Sequence, residues 1–87
     1  MFWIYILQSE KNGRYYIGST NNIERRLSEH NSGKTRSLKF IRPLKLVFKK
    51  PYESESEVKL MERKLKKYKS REIIDRIVKE QEIKMGL

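Results

Sequence analysis

The chain has 87 residues, with 21 Lys or Arg against 11 Asp or Glu, a formal net charge of +10, one histidine and no cysteine. A domain of this size buries roughly 60% of its unfolded surface, which argues against a large ligand cavity. Without thiols or a second histidine, neither a disulfide framework, a thiolate zinc site nor a His-rich metal cluster can form, so any metal must be a hard, oxygen-bound one. The cation excess is the footprint of a polyanion binder, and it fits nucleic-acid-binding, ribosomal and anionic-membrane-binding proteins alike.

Residues 2–7, Phe-Trp-Ile-Tyr-Ile-Leu, are apolar at nearly every position and rich in aromatic and β-branched types. They predict a strand covered on both faces, at the centre of a small sheet. No apolar run reaches the ~20 residues of a membrane span, and the N-terminal run carries neither a basic leader nor a small-residue cleavage site. The expected location is the cytoplasm. Ser9 to Gly13 supplies a turn, with Asn12-Gly13 as its strongest signal, and 14–18 returns as a second, antiparallel strand. Alternation then sends Tyr16 and Gly18 to the face opposite Tyr15 and Ile17.

A helix is predicted from Asn21 or Asn22, where Asn21 and Glu24 have capping-box spacing, and Ile23 and Leu27 form an apolar i, i+4 pair. Arg26 and His30, also i, i+4, share a face at the edge of the core. Asn31-Ser32-Gly33 closes the helix. The segment 34–42 holds Lys34, Arg36, Lys39 and Arg42 with no acidic residue, and reads as a basic loop, either solvated or in contact with phosphate. Pro43 starts and Pro51 stops a third strand centred on Leu46, Val47 and Phe48. Ser54 and Glu57 form a second capping pair, opening a helix whose buried stripe is Val58, Met61, Leu65 and Tyr68. Glu62 emerges beside that stripe, and an ion pair with Lys59 or Lys66 is its ordinary role. Ser70 caps a last helix bearing Ile73, Ile74, Ile77 and Val78, which frays after Glu82. The order β-β-α-β-α-α predicts an α+β domain, a three-stranded antiparallel sheet flanked by helices.

No Ser/His/Asp or Cys/His grouping is available, and the four glycines are too scattered for a phosphate-cradling loop. What remains is tyrosine, arginine and carboxylate on a basic domain, a set suited to phosphodiester chemistry, which needs an activated water and positive charge on the developing phosphorane. Tyr5 follows Ile4 in the first strand, Tyr16-Ile17-Gly18 comes about ten residues on, Arg26 lies eight beyond Gly18 with His30 one helical turn further, and Glu62 falls on a later helix. This ordered set resembles the GIY-YIG nuclease domain, and more closely the small stand-alone members of that superfamily. The resemblance covers about residues 2–70 of a single domain spanning 1–87, with the C-terminal helix running to about 82.

The resemblance implies a Mg²⁺-dependent (or Mn²⁺-dependent) endonuclease acting on DNA, with RNA left open, in a setting such as repair or recombination. It implies that Tyr16, with Tyr5 beside it, orients or deprotonates the attacking water. A phenol, with a reference pKa near 10, is a poor base unless cations or metal-bound water assist it. Arg26 would hold the scissile phosphate, His30 would contact the phosphate or the nucleophile's hydrogen-bond network, and Glu62 would bind the one divalent cation, weakly in the absence of DNA. Gly18, Arg25, Lys34, Arg36 and Lys39 are candidate substrate contacts, although Arg25 also fits an ordinary surface role, and Gly18 a bulge or a strand-to-loop turn. Trp3-Ile4-Tyr5 stands where the family has Gly-Ile-Tyr. No appended DNA-binding domain is expected, so a second copy of the chain or a protein partner would supply specificity. The competing reading is a non-catalytic basic nucleic-acid-binding module with a retained but silent site.

Overall fold

The computed structural model describes residues 1–33, 42–68 and 70–83. Strands β1 (Phe2–Ser9) and β2 (Tyr15–Thr20) are followed by helix α1 (Ile23–Asn31), strand β3 (Leu44–Tyr52) and helices α2 (Glu55–Tyr68) and α3 (Arg71–Glu80). The three strands form one antiparallel sheet in the order β2-β1-β3. This is the α+β arrangement and the β-β-α-β-α-α order expected from the sequence.

The central position of β1 explains why its apolar residues do not alternate with polar ones. Ile4 and Ile6 are fully buried against Phe48, Val58, Leu65, Ile74 and Ile77, so α2 and α3 cover that face. Tyr5 and Leu7 point the other way and pack with Leu44, Tyr16, Leu46 and Leu27 of α1. A register shift between Ile6 and Leu7 leaves Val47 as the extra residue of β3, and the Gln81 side chain at the end of α3 donates to its carbonyl at 2.8 Å.

The β1–β2 turn closes around the buried Ser9, whose Oγ accepts from the backbone N–H groups of Lys11 and Asn12 while Gly13 takes a positive φ of 74°. Four local expectations are corrected. Strand β2 runs on to Thr20 instead of ending at Gly18, because Ser19 and Thr20 continue the pairing with Ile4 and Trp3. The cap of α1 is Asn22, whose side chain accepts from Arg25 N, whereas the Asn21 side chain accepts from the Arg25 guanidinium. Pro51 lies inside β3, opposite Trp3, and does not end it; β3 is an edge strand, where a missing N–H on the unpaired side is tolerated. Tyr68, the last residue of α2, is half exposed and outside the stripe that Val58, Met61 and Leu65 form. The caps of the other two helices are as expected, Ser54 accepting from Glu57 N and Ser70 from Ile73 N. Among the described residues, no helix is long and apolar enough to cross a membrane.

Candidate active site

The candidate site lies along the outer edge of β2, which pairs with β1 on one side only. A groove of about 500 Å³ is lined by side chains from both faces of that strand. Helix α1 supplies Arg26 and His30 to one wall, and α2 supplies Lys59, Glu62 and Lys66 to the other. Tyr5, Tyr16 and Gly18 also line it, so the six residues singled out from the ordered motif are brought together by the fold.

The register Tyr5↔Gly18 makes the first contact of the site. The Tyr5 ring crosses directly over Gly18, where a Cβ would stand only 2.5 Å from the ring carbon Cζ. Gly18 pairs in regular register and is not a bulge: its missing side chain is the space that Tyr5 occupies. From there the Tyr5 hydroxyl reaches His30 Nε2 at 3.2 Å, across 25 residues of sequence. Helix α1 delivers His30 in its last turn, with only 4% of its surface exposed.

Electrostatics order this cluster. Burial, followed by the charge of Arg26, pushes His30 below its usual value, although Glu29 opposes the shift. At neutral pH the imidazole is uncharged. The Arg26 guanidinium stands near the Tyr5 hydroxyl, and its interaction with that oxygen is the main cause of the rise in the Arg26 pKa. Arg26, Tyr5 and His30 thus form a cluster in which a fixed cation stands near a phenol that is hydrogen-bonded to a neutral imidazole.

Glu62 occupies the opposite wall, as its place beside the apolar stripe predicted. Its side chain is 16% exposed. Oε1 accepts a short hydrogen bond from the Ser19 hydroxyl, and Lys66 Nζ lies 2.7 Å from Oε2. Lys59 Nζ lies 3.8 Å from Oε1. Burial pushes the Glu62 carboxyl up, but the hydrogen bonds from Lys66 and Ser19 and the charges of both lysines outweigh it, and the net shift is downward. Glu62 is ionised at neutral pH. Among the described residues no three His, Cys, Asp or Glu side chains form a metal-holding group, and Glu62 is the acidic residue among those lining the groove, so it is the carboxylate that would be offered to a cation. A lone hard carboxylate in an open groove suits Mg²⁺, which keeps most of its waters, and not a metal that needs a protein cage.

Ser19, Lys59 and Lys66 join the site without having been singled out for it. Lys59 and Lys66 sit three and four residues from Glu62, a signal legible in the sequence but shared with any solvated helix face. Ser19 becomes recognisable only once β2 is seen to extend beyond Gly18. Arg25 falls outside the groove; it lines a neighbouring depression with Thr20 and Asn21 and pairs with Glu29 at 3.6 Å. Lys34, Arg36 and Lys39 lie outside the described residues.

A family model described as the GIY-YIG catalytic domain matches residues 1–74. A UPF0213 protein of Streptococcus pneumoniae serotype 4 is 39% identical over 70 residues, covering 77% of this chain and 68% of that protein. A UPF0213 protein of Syntrophus aciditrophicus is 46% identical over 68 residues, covering 75% of this chain and 76% of its own length. Among solved structures, the solution NMR structure of a UPF0213 protein from Bacillus halodurans superposes with a TM-score of 0.56 at 31% identity, covering 91% of this chain and 84% of that one.

Proposed function

We infer that this chain, which belongs to the GIY-YIG catalytic domain family, is an endonuclease that hydrolyses DNA phosphodiester bonds with the help of one divalent cation. The observation that carries this reading is the convergence of Arg26, the hydrogen-bonded Tyr5–His30 pair, Tyr16 and Glu62 on one groove. A binding surface needs cations, but it has no use for a buried phenol hydrogen-bonded to a neutral imidazole. The net charge of +10 supplies long-range attraction to the substrate.

Each side chain has a task that follows from its place. Tyr16, half-buried in the groove, orients the attacking water. As the water oxygen forms its bond to phosphorus, its proton passes to the Tyr5 oxygen while the Tyr5 proton moves to His30 Nε2, which leaves an imidazolium. Arg26 faces the phosphate and stabilises the charge that grows on its oxygens, a contribution of about 10²–10³-fold for one well-placed donor. The bond to the leaving oxygen breaks in the same step, and that oxygen takes a proton from solvent. Glu62 would hold the cation, with Ser19 fixing the carboxylate. When bound, a hard dication neutralises charge on the phosphate and the leaving oxygen. Gly18 serves this chemistry by making room for Tyr5. A cysteine-free basic chain acting on DNA suits the cytoplasm, and structured DNA of the kind met in repair or recombination is the substrate to try first.

The second reading, a silent binding module, is favoured by one observation: both oxygens of Glu62 already have lysine partners. Incubation with supercoiled, branched, single-stranded and damaged DNA, with Mg²⁺ or Mn²⁺ and with chelator, separates the two. Cation-dependent nicking of at least one substrate is expected; binding to all of them with cleavage of none would favour the silent module.

A further inference from the structure

Two ammonium groups share one carboxylate in the groove. Lys59 precedes Glu62 by three residues and Lys66 follows it by four, so the three side chains stand on one face of α2. The two lysine side chains are 56% and 54% exposed, while Glu62 is 16% exposed. The anion accepts a hydrogen bond from Ser19, and its lysine partners are largely exposed to solvent. Exposed pairs of this kind contribute little to stability and exchange readily. All three side chains line the groove that also holds Tyr5, Tyr16, Arg26 and His30. The lysines therefore lie where the DNA backbone must pass, yet both are paired with Glu62.

We propose that Lys59 and Lys66 are phosphate-binding residues kept in reserve on Glu62, and that a divalent cation taking the Glu62 carboxylate releases them to the DNA backbone, so that cation and DNA bind cooperatively. This rests on the reading of the groove as the site of a cation-assisted nuclease. A single negative charge cannot hold a dication and two ammonium groups at once, and the dication repels the ammoniums at contact distance. The displaced Nζ groups remain tethered to α2 beside the groove, where the nearest available anion is a phosphate of bound DNA. Linkage makes the effect reciprocal: whatever factor the cation adds to DNA affinity, DNA adds to cation affinity. A site with one carboxylate then becomes an adequate cation site only on DNA.

The test measures DNA binding, independently of cleavage, by fluorescence anisotropy on a short duplex over a range of salt concentrations. Glu62→Gln in chelator imitates release of the lysines. Relative to wild type in chelator it should bind about tenfold tighter near 0.1 M salt, with a log–log salt slope steeper by about 1 to 2, since each new phosphate contact adds close to one unit. Loss of the carboxylate alone also reduces repulsion, so the same change is made in a Lys59→Ala/Lys66→Ala background, where the gain should shrink to less than about twofold. Mg²⁺ competes for the phosphates and flattens the slope of every variant, so the readout is the difference: the wild-type slope should flatten by about 1 to 2 less than that of Glu62→Gln. An equal gain in both backgrounds, no gain at all, or equal flattening of the two slopes by Mg²⁺ would overturn the proposal. Failure of the nuclease reading registers separately, as absence of nicking by a wild-type protein whose binding still shows this coupling.

Discussion

Gly18→Ala tests how the strand pairing builds the site. In an unconstrained strand, replacing glycine by alanine stabilises by about 0.5–1 kcal/mol through lost backbone freedom. Here the new methyl would stand 2.5 Å from Tyr5 Cζ, well inside contact distance, and Tyr5 is only 5% exposed. The ring belongs to a buried cluster with Leu7 and Leu44, against which Leu27 packs, so there is little room for it to lean away. Overpacking of this kind costs about 1–3 kcal/mol, more than the backbone gain, so a net loss of roughly 1–2 kcal/mol is expected. For a domain of this length each kcal/mol lowers Tm by about 4–8 °C. Displacing the ring also breaks the Tyr5–His30 bond, so cleavage should fall much further than stability. Thermal unfolding followed by circular dichroism, with plasmid nicking measured well below Tm, reads both effects. Tyr5→Leu should relieve the clash, making the double variant more stable than the sum of the single changes. A Gly18→Ala protein with unchanged Tm and activity would refute the reasoning.

His30 is held below its usual pKa of 6.5, so between that value and its folded one the unfolded chain binds more protons. Its share of stability is complete above about pH 6.5 and is lost as pH falls through that window; urea titrations should show the loss, and His30→Gln should flatten it. Cleavage by the folded protein should fall at the acid end of that window, as pH passes through the lowered folded-state pKa, because an imidazolium accepts no proton from Tyr5. Leu65→Ala, at a position 1% exposed in the main core, should cost about 2–5 kcal/mol by denaturant unfolding, which would loosen the helix that carries Glu62. Asp75→Asn weakens the 2.5 Å hydrogen bond from Tyr15 at an exposed site; its cost should stay below about 1 kcal/mol in the same assay.

The architecture was legible because its signals were redundant. The unbroken apolar run of β1 has one physical solution in a small sheet, burial on both faces, and the Ser54 and Ser70 caps lie at their expected spacing from Glu57 and Ile73. Errors arose where two residues of the same chemistry stood side by side or where topology overrode a local rule. Asn21 and Asn22 can both cap, and backbone dihedrals chose Asn22. Pro51 ends a central strand but not an edge strand, and edge status depends on the pairing order. The individual members of the site were readable from the ordered motif, but their couplings were not. That Gly18 exists for Tyr5 follows from cross-strand register, and that Tyr5 meets His30 follows from how α1 lies on the sheet. Lys59 and Lys66 carried the pattern of an ordinary helix ion pair, and only the groove distinguishes them from one.

The central claim is that the groove performs hydrolysis and does not merely hold DNA. Its most direct test compares wild type with Tyr16→Phe and Arg26→Ala on one cleavable DNA in Mg²⁺, with binding measured on the same molecule. Hydrolysis predicts that Tyr16→Phe binds DNA like wild type yet cuts far more slowly, and that Arg26→Ala loses about 10²–10³-fold in rate. Cleavage by both variants at the wild-type rate would contradict it.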